Sequence, residues 1–157
     1  MTTRPSNDHP LRIVVHNRQK RLSIKKRAIE KWAVPLLLSY LKVPFHEVSI
    51  HFIGKRAMAR LHLRLFGDPS TTDCISLPLD DAESDLPYKV LGEVFVAPEI
   101  ALEYALLHRK KPEEETALYI IHGLLHLLGF DDCDPHARRI MRREERRCLK
   151  TYDCLLS

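Results

Sequence analysis

The sequence predicts an α+β domain, and three observations predict it. Four short β-branched or apolar runs are interleaved with five stretches of helical character. No internal repeat divides the chain. At 157 residues, with 45% hydrophobic and 29% charged side chains, the chain suits one domain over 1–157 and excludes low-complexity and collagen-like classes.

After a disordered start, Met1 to Pro10, the run Leu11 to His16 reads as the first strand. A helix follows, in which Ile24, Ala28, Trp32, Leu36 and Tyr40 fall four apart, and Pro35 implies a kink or a break. Pro44 ends that segment. Glu47 to Ile53 alternates as a second strand, and Gly54 turns the chain into a short helix, Arg56 to Leu65. Gly67-Asp68-Pro69-Ser70 signals a loop before a third strand, Asp73 to Leu79, and the acidic stretch Asp80 to Asp85 reads as a solvated loop. Leu91 to Ala97 is the fourth strand. Pro98 and Pro112 each occupy the first turn of a helix, one running to His108 and the other to about Leu128, where Gly129 stops it. Glu113, Glu114 and Glu115 favour the positive end of that second helix dipole. A last helix opens at Asp134-Pro135 and carries six arginines between Arg138 and Arg147.

The net charge of +4 conceals strong segregation. Met1 to Phe66 holds 14 basic and 3 acidic side chains, Gly67 to Ala137 holds 4 and 15, and Arg138 to Ser157 holds 7 and 3. Basic ends around an acidic middle suit a protein that holds a polyanion near a site carrying carboxylates. No run approaches eighteen apolar residues and the N-terminus lacks the apolar core of a secretory signal, so no membrane association and a cytoplasmic location are expected. Cys74, Cys133, Cys148 and Cys154 form no C-x-x-C pair and are expected to be free thiols.

The richest cluster of chemistry lies in Tyr119 to Asp134, YIIHGLLHLLGFDDCD. His122 and His126 are four residues apart, and at about 100° per residue both imidazoles face one side of a helix, able to meet one cation. Gly129 lets the chain reverse, so Asp132 can close over the same point. His136 is a rival third ligand, and Cys133 lies within the cluster. Two imidazoles, one carboxylate and a position left for water is a common way to hold catalytic zinc. A zinc protease helix of the H-E-x-x-H kind has a general-base Glu after its first His; here Gly123 stands there, which argues against proteolysis.

The segment His122 to Asp132 resembles the hallmark of the YbeY family of bacterial endoribonucleases, H-G-x-L-H-L-x-G-[YF]-D-H, at ten of eleven positions. Thr72 to Pro78 is similar to a second family block, T-D-V-L-S-F-P, and Leu91 to Glu99 to a third, L-G-D-I-x-I-x-P-E. The resemblance implies a small mixed sheet covered by helices, with a central, zincin-like metal helix. It also implies a metal-dependent, single-strand-specific endoribonuclease of 16S rRNA 3′-end maturation and ribosome assembly, acting on ribosomal RNA with small-subunit components as partners. One Zn²⁺ per chain, or another divalent cation, would be held by His122, His126 and Asp132. Thr72, Asp73 and Ser76 would line the cleft, with Asp73 ordering a loop or orienting a ligand histidine as its acceptor. Arg138, Arg139 and Arg142 would contact phosphates. Two departures stand out: Asp132 replaces the family's third histidine, and Phe66 stands where the family usually has an arginine. Arg64, two residues earlier, is the candidate substitute for stabilising charge on phosphate. A binding factor that assembles ribosomes without cutting RNA is the alternative from another class.

Overall fold

A computed structural model describes residues 10–156; the expected disordered start lies almost wholly outside the described residues. Its strands are β1 (Arg12–Asn17), β2 (Glu47–Phe52), β3 (Cys74–Pro78) and β4 (Val90–Val96). Its helices are α1 (Lys26–Tyr40), α2 (Lys55–Phe66), α3 (Pro98–His108), α4 (Pro112–Leu127) and α5 (Pro135–Leu156). The strands form one sheet in the order β1-β2-β4-β3. β1, β2 and β4 run parallel, and β3 closes the edge antiparallel to β4. The expected α+β class and mixed sheet are both found.

Alternation along the strands decides where the core lies. Ile13, Val15, Val48, Ile50, Phe52, Val94 and Val96 are buried, and they form one cluster with Trp32, Leu36 and Leu37 of α1 and Ile120, Ile121, Leu124 and Leu125 of α4. α1 packs on β1, whereas α4 packs on β3 and β4 and is flanked by α3 and α5. A smaller cluster, Ile53, Met58, Ile75 and Ala97, fastens α2.

Of the kink or break expected at Pro35, the break does not occur, for α1 runs through it. Pro35 and Lys31, the residue four earlier whose carbonyl loses its helical partner, are both exposed. The buried side chains Ile29, Trp32, Ala33, Leu36 and Leu37 straddle the proline and hold both halves to the sheet.

α4 approaches the sheet at Gly123. A Cβ there would lie 2.4 Å from Val94 Cγ1 and 2.8 Å from Cys74 Sγ. Ser76 Oγ of β3 donates to the Gly123 carbonyl at 2.9 Å, fixing the helix by a polar contact at the same point. The residue type that separates this helix from a protease helix is thus also the one that seating on the sheet demands. Gly123→Ala is expected to lower the unfolding free energy by about 1–3 kcal/mol through overpacking. Denaturant unfolding followed by the single, buried Trp32 measures it, and a variant as stable as wild type would disprove the close seating.

Candidate metal centre

The seating of α4 presents His122 and His126 on the side of the helix that faces a cleft of about 320 Å³, lined also by His62, Phe66, Thr72, Cys74, Ile75, Ser76 and Pro78. The helix ends in a paired cap. Gly129 takes φ 100°, its N–H donates to the His126 carbonyl at 3.1 Å, and the Phe130 N–H donates to the Leu125 carbonyl at 3.0 Å. This reversal carries the chain back over the histidines. The returning loop is pinned by Asp131, whose carboxylate accepts from the Cys133 N–H at 2.9 Å. Asp134 then caps α5 by accepting from the Ala137 N–H at 2.8 Å. Asp132, between these two anchors, comes to the histidine pair.

Ligand atoms of His122, His126 and Asp132 all lie within 4.8 Å of one another. The two Nε2 atoms are 3.0 Å apart, and Asp132 oxygens lie 3.7 Å from His122 Nε2 and 3.9 Å from His126 Nε2. Donors on a tetrahedral ion with bonds of about 2.0–2.1 Å are separated by roughly 3.3 Å. The observed triangle brackets that value, so the donor set could hold one divalent cation.

Behind the triangle, His122 Nδ1 lies 2.8 Å from Glu145 Oε1. A carboxylate accepts, so Nδ1 carries the proton and Nε2 is turned to the ligand point. That bond holds the His122 pKa above the ordinary imidazole value, against burial, which lowers it. Proton and cation therefore compete for His122, and metal affinity falls as the pH is lowered through this raised pKa. Glu145 comes from the inner side of α5, whose neighbours Met141 and Cys148 are buried. Tyr40 of α1 fastens the same helix by donating its hydroxyl to Glu144 Oε2 at 2.7 Å.

The other expected site residues divide. Thr72 and Ser76 line the cleft. Asp73 is not the hydrogen-bond acceptor of His122, a part Glu145 takes; it acts on that ring only through its charge, while its own carboxylate meets Thr72 Oγ1 at 3.5 Å. His136 lies outside the ligand triangle. With Arg139, Arg142, Arg143 and Arg146 it lines a groove on α5 that shares no residue with the cleft. Arg138 and Arg64 are exposed, and no Lys or Arg is among the described cleft-lining residues. Cys133 is exposed and Cys74 and Cys148 are free, as expected; the side chain of Cys154 lies outside the described residues. Two residues that sequence reasoning missed, Glu145 and His62, belong to the site.

Two histidines on α4 and an aspartate on the loop after it, packed against a mixed sheet, define the class: an α+β domain with a candidate metal centre. The solution structure of TM1509 from Thermotoga maritima shares this fold, with a TM-score of 0.63 at 20% identity over 89% of this chain and 88% of that one. The family model described as Endoribonuclease YbeY matches residues 14–153. Similar relatives carry the same description. The Protochlamydia amoebophila (strain UWE25) protein is 50% identical over 99 residues, 63% of this chain and 65% of that one. The Chlamydia pneumoniae protein is 40% identical over 145 residues, covering 88% and 89%. The Chlamydia felis (strain Fe/C-56) protein is 36% identical over 143 residues, covering 89% and 90%. The chain belongs to the YbeY family.

Two outcomes test the site. Elemental analysis is expected to find metal in wild type and in His136→Ala but not in Asp132→Ala, and the reverse pattern would move the third ligand four residues onward. Glu145→Gln should weaken metal binding by about 10–100-fold without unfolding the protein, and unchanged affinity would remove Glu145 from the site.

Proposed function

We propose that this protein is a metal-dependent endoribonuclease that cuts single-stranded ribosomal RNA, with Zn²⁺ as its ion. One observation carries the reading: the His122, His126 and Asp132 triangle is backed by Glu145, and its two histidines line a cleft of about 320 Å³, in a chain of a family named for RNA cleavage. When bound, the ion supplies a Lewis acid that polarises a phosphate oxygen or acidifies a water.

The chain's own groups do the rest. Glu145 holds the His122 ring so that Nε2, not a proton, faces the ligand point. Thr72 Oγ1 has only long contacts, 3.5 Å to both Asp73 Oδ1 and the Cys74 carbonyl, and can exchange them for a phosphate oxygen. Ser76 is engaged with Gly123 and holds the helix. Burial keeps the Cys74 thiol protonated and inert, its pKa pushed far above the usual range. Arg138, Arg139 and Arg142, exposed on the first turns of α5, hold flanking phosphates without reading sequence.

Within the cell the reading extends to 16S rRNA 3′-end maturation and assembly, with small-subunit components as partners, in the cytoplasm. No described helix is long and apolar enough to cross a membrane. A second reading, a ribosome-assembly factor that binds RNA without cutting it, is favoured by Phe66 and by a cleft wall without Lys or Arg.

Wild-type protein is expected to cut ribosomal RNA, and a chelated sample and His122→Ala to lose at least about 100-fold in rate while still binding RNA. Equal cutting by all three would overturn the metal mechanism. Binding without cutting by wild type would select the assembly-factor reading.

A further inference from the structure

The cleft contains a third histidine that metal binding leaves without a role. His62, near the end of α2, lines the cleft together with His122 and His126. Its Nδ1 lies 2.7 Å from the backbone carbonyl oxygen of Ser70. A carbonyl oxygen only accepts, so Nδ1 carries the proton, and in the neutral ring Nε2 carries the lone pair.

The surrounding loop is arranged to hold that tautomer. Gly67, at φ 69°, ends α2 in the left-handed conformation and turns the chain back. The Asp68 carboxylate accepts from the Ser70 N–H at 2.9 Å and from Ser70 Oγ at 2.6 Å, fixing the residue whose carbonyl meets His62. The Phe66 ring, four residues on along α2, lies 5.4 Å from the imidazole centroid and supports it from another side. A ring whose Nδ1 is held by an acceptor, with Nε2 as its basic nitrogen, is the arrangement in which histidine acts as a general base.

The remaining cleft-lining groups do not compete for this part. Phe66, Ile75 and Pro78 exchange no protons, and the Ser76 hydroxyl is donated to Gly123. The Cys74 thiol is kept protonated by burial. Thr72 offers only a weakly acidic hydroxyl, and His122 and His126 present their Nε2 atoms to the ligand point.

We propose that His62 is the proton acceptor of phosphodiester hydrolysis, a claim that rests on the nuclease reading above. Nε2 takes one proton of the attacking water as the water oxygen bonds to phosphorus. The bond from phosphorus to the leaving ribose oxygen breaks, and that oxygen takes a proton from solvent. His62 returns its proton to solvent, so one water is consumed and a phosphomonoester and a free hydroxyl end are formed.

The experiment compares wild type, His62→Ala, His62→Gln and His122→Ala on a single-stranded RNA oligonucleotide, with zinc content and thermal midpoint measured on the same samples. Both His62 variants are expected to stay folded, keep wild-type zinc and lose about 100-fold in kcat with little change in KM. Free imidazole in the buffer should restore part of the rate to His62→Ala and none to His122→Ala, which a purely structural role would not produce. His62 variants that cut at the wild-type rate overturn the proposal and leave the nuclease reading standing. A loss of rate that imidazole does not restore, or one that comes with loss of zinc or of folding, also overturns it. A wild type that does not cut, or a His122→Ala that cuts as well as wild type, instead overturns the reading beneath it.

Discussion

The seating of α4 on the sheet at Gly123 is the constraint on which the site depends. With no side chain between helix and strands, the helix backbone comes close enough for Ser76 to reach the Gly123 carbonyl. That contact lies between the two histidines in sequence, so it fixes the height and rotation of both rings over the cleft. The packing is close to crystalline density in such interiors, and a shift of even one methyl group is felt. Metal sites tolerate little ligand displacement, so the core and the site share a single tolerance.

The second support comes from α5, and it explains why so polar a helix is long and firmly held. Few of its side chains enter the core, Met141 and Cys148 being buried. Its fastening is instead a series of polar contacts. Trp32 Nε1 donates to Thr151 Oγ1 at 3.1 Å, Tyr40 donates to Glu144, and Glu145 accepts from His122. Arg147 lies over the Tyr40 ring at 4.8 Å and pairs with Glu144 at 2.9 Å. These contacts orient Glu145, so α1 contributes to the candidate metal centre without touching any of its three residues.

Much of this was legible in the sequence because it is local. The His122 and His126 spacing states a helix face, and Gly129 states a reversal, from which the position of Asp132 follows. Strand alternation and the prolines at helix starts gave element types with boundaries within a few residues. What escaped depends on tertiary packing. Pro35 signals a kink or a break, and it is the buried side chains on both sides of it that keep the helix continuous. Glu145 is one carboxylate among the arginines of α5, and only the placement of α5 against α4 distinguishes it from a solvated charge. His62 is a histidine in an otherwise basic, apolar helix. A faint signal existed: it lies four residues before Phe66 and eight before Ser70, at the loop that precedes the T-D block. The orienting part expected of Asp73 went to Glu145 for the same reason, since adjacency in sequence does not fix which carboxylate reaches a ring across an interface.

Asp132 and Phe66, the two departures from the family pattern, act in the same electrostatic direction. An aspartate in place of a neutral imidazole adds a negative charge to the ligand set, so a bound divalent cation retains less net charge and acidifies a water less. Phe66 in place of an arginine removes a positive charge from the cleft wall, so developing charge on phosphate meets less stabilisation there. Both changes shift the burden of catalysis away from electrostatics. A less acidic bound water needs a base to take its proton, and His62, braced by Phe66 itself and by Ser70, lines the cleft. The residue that replaces the arginine thus packs against the residue that meets the need its absence creates. In the mechanism proposed above, the two departures are parts of one arrangement, in which proton transfer compensates for a weaker electrophile.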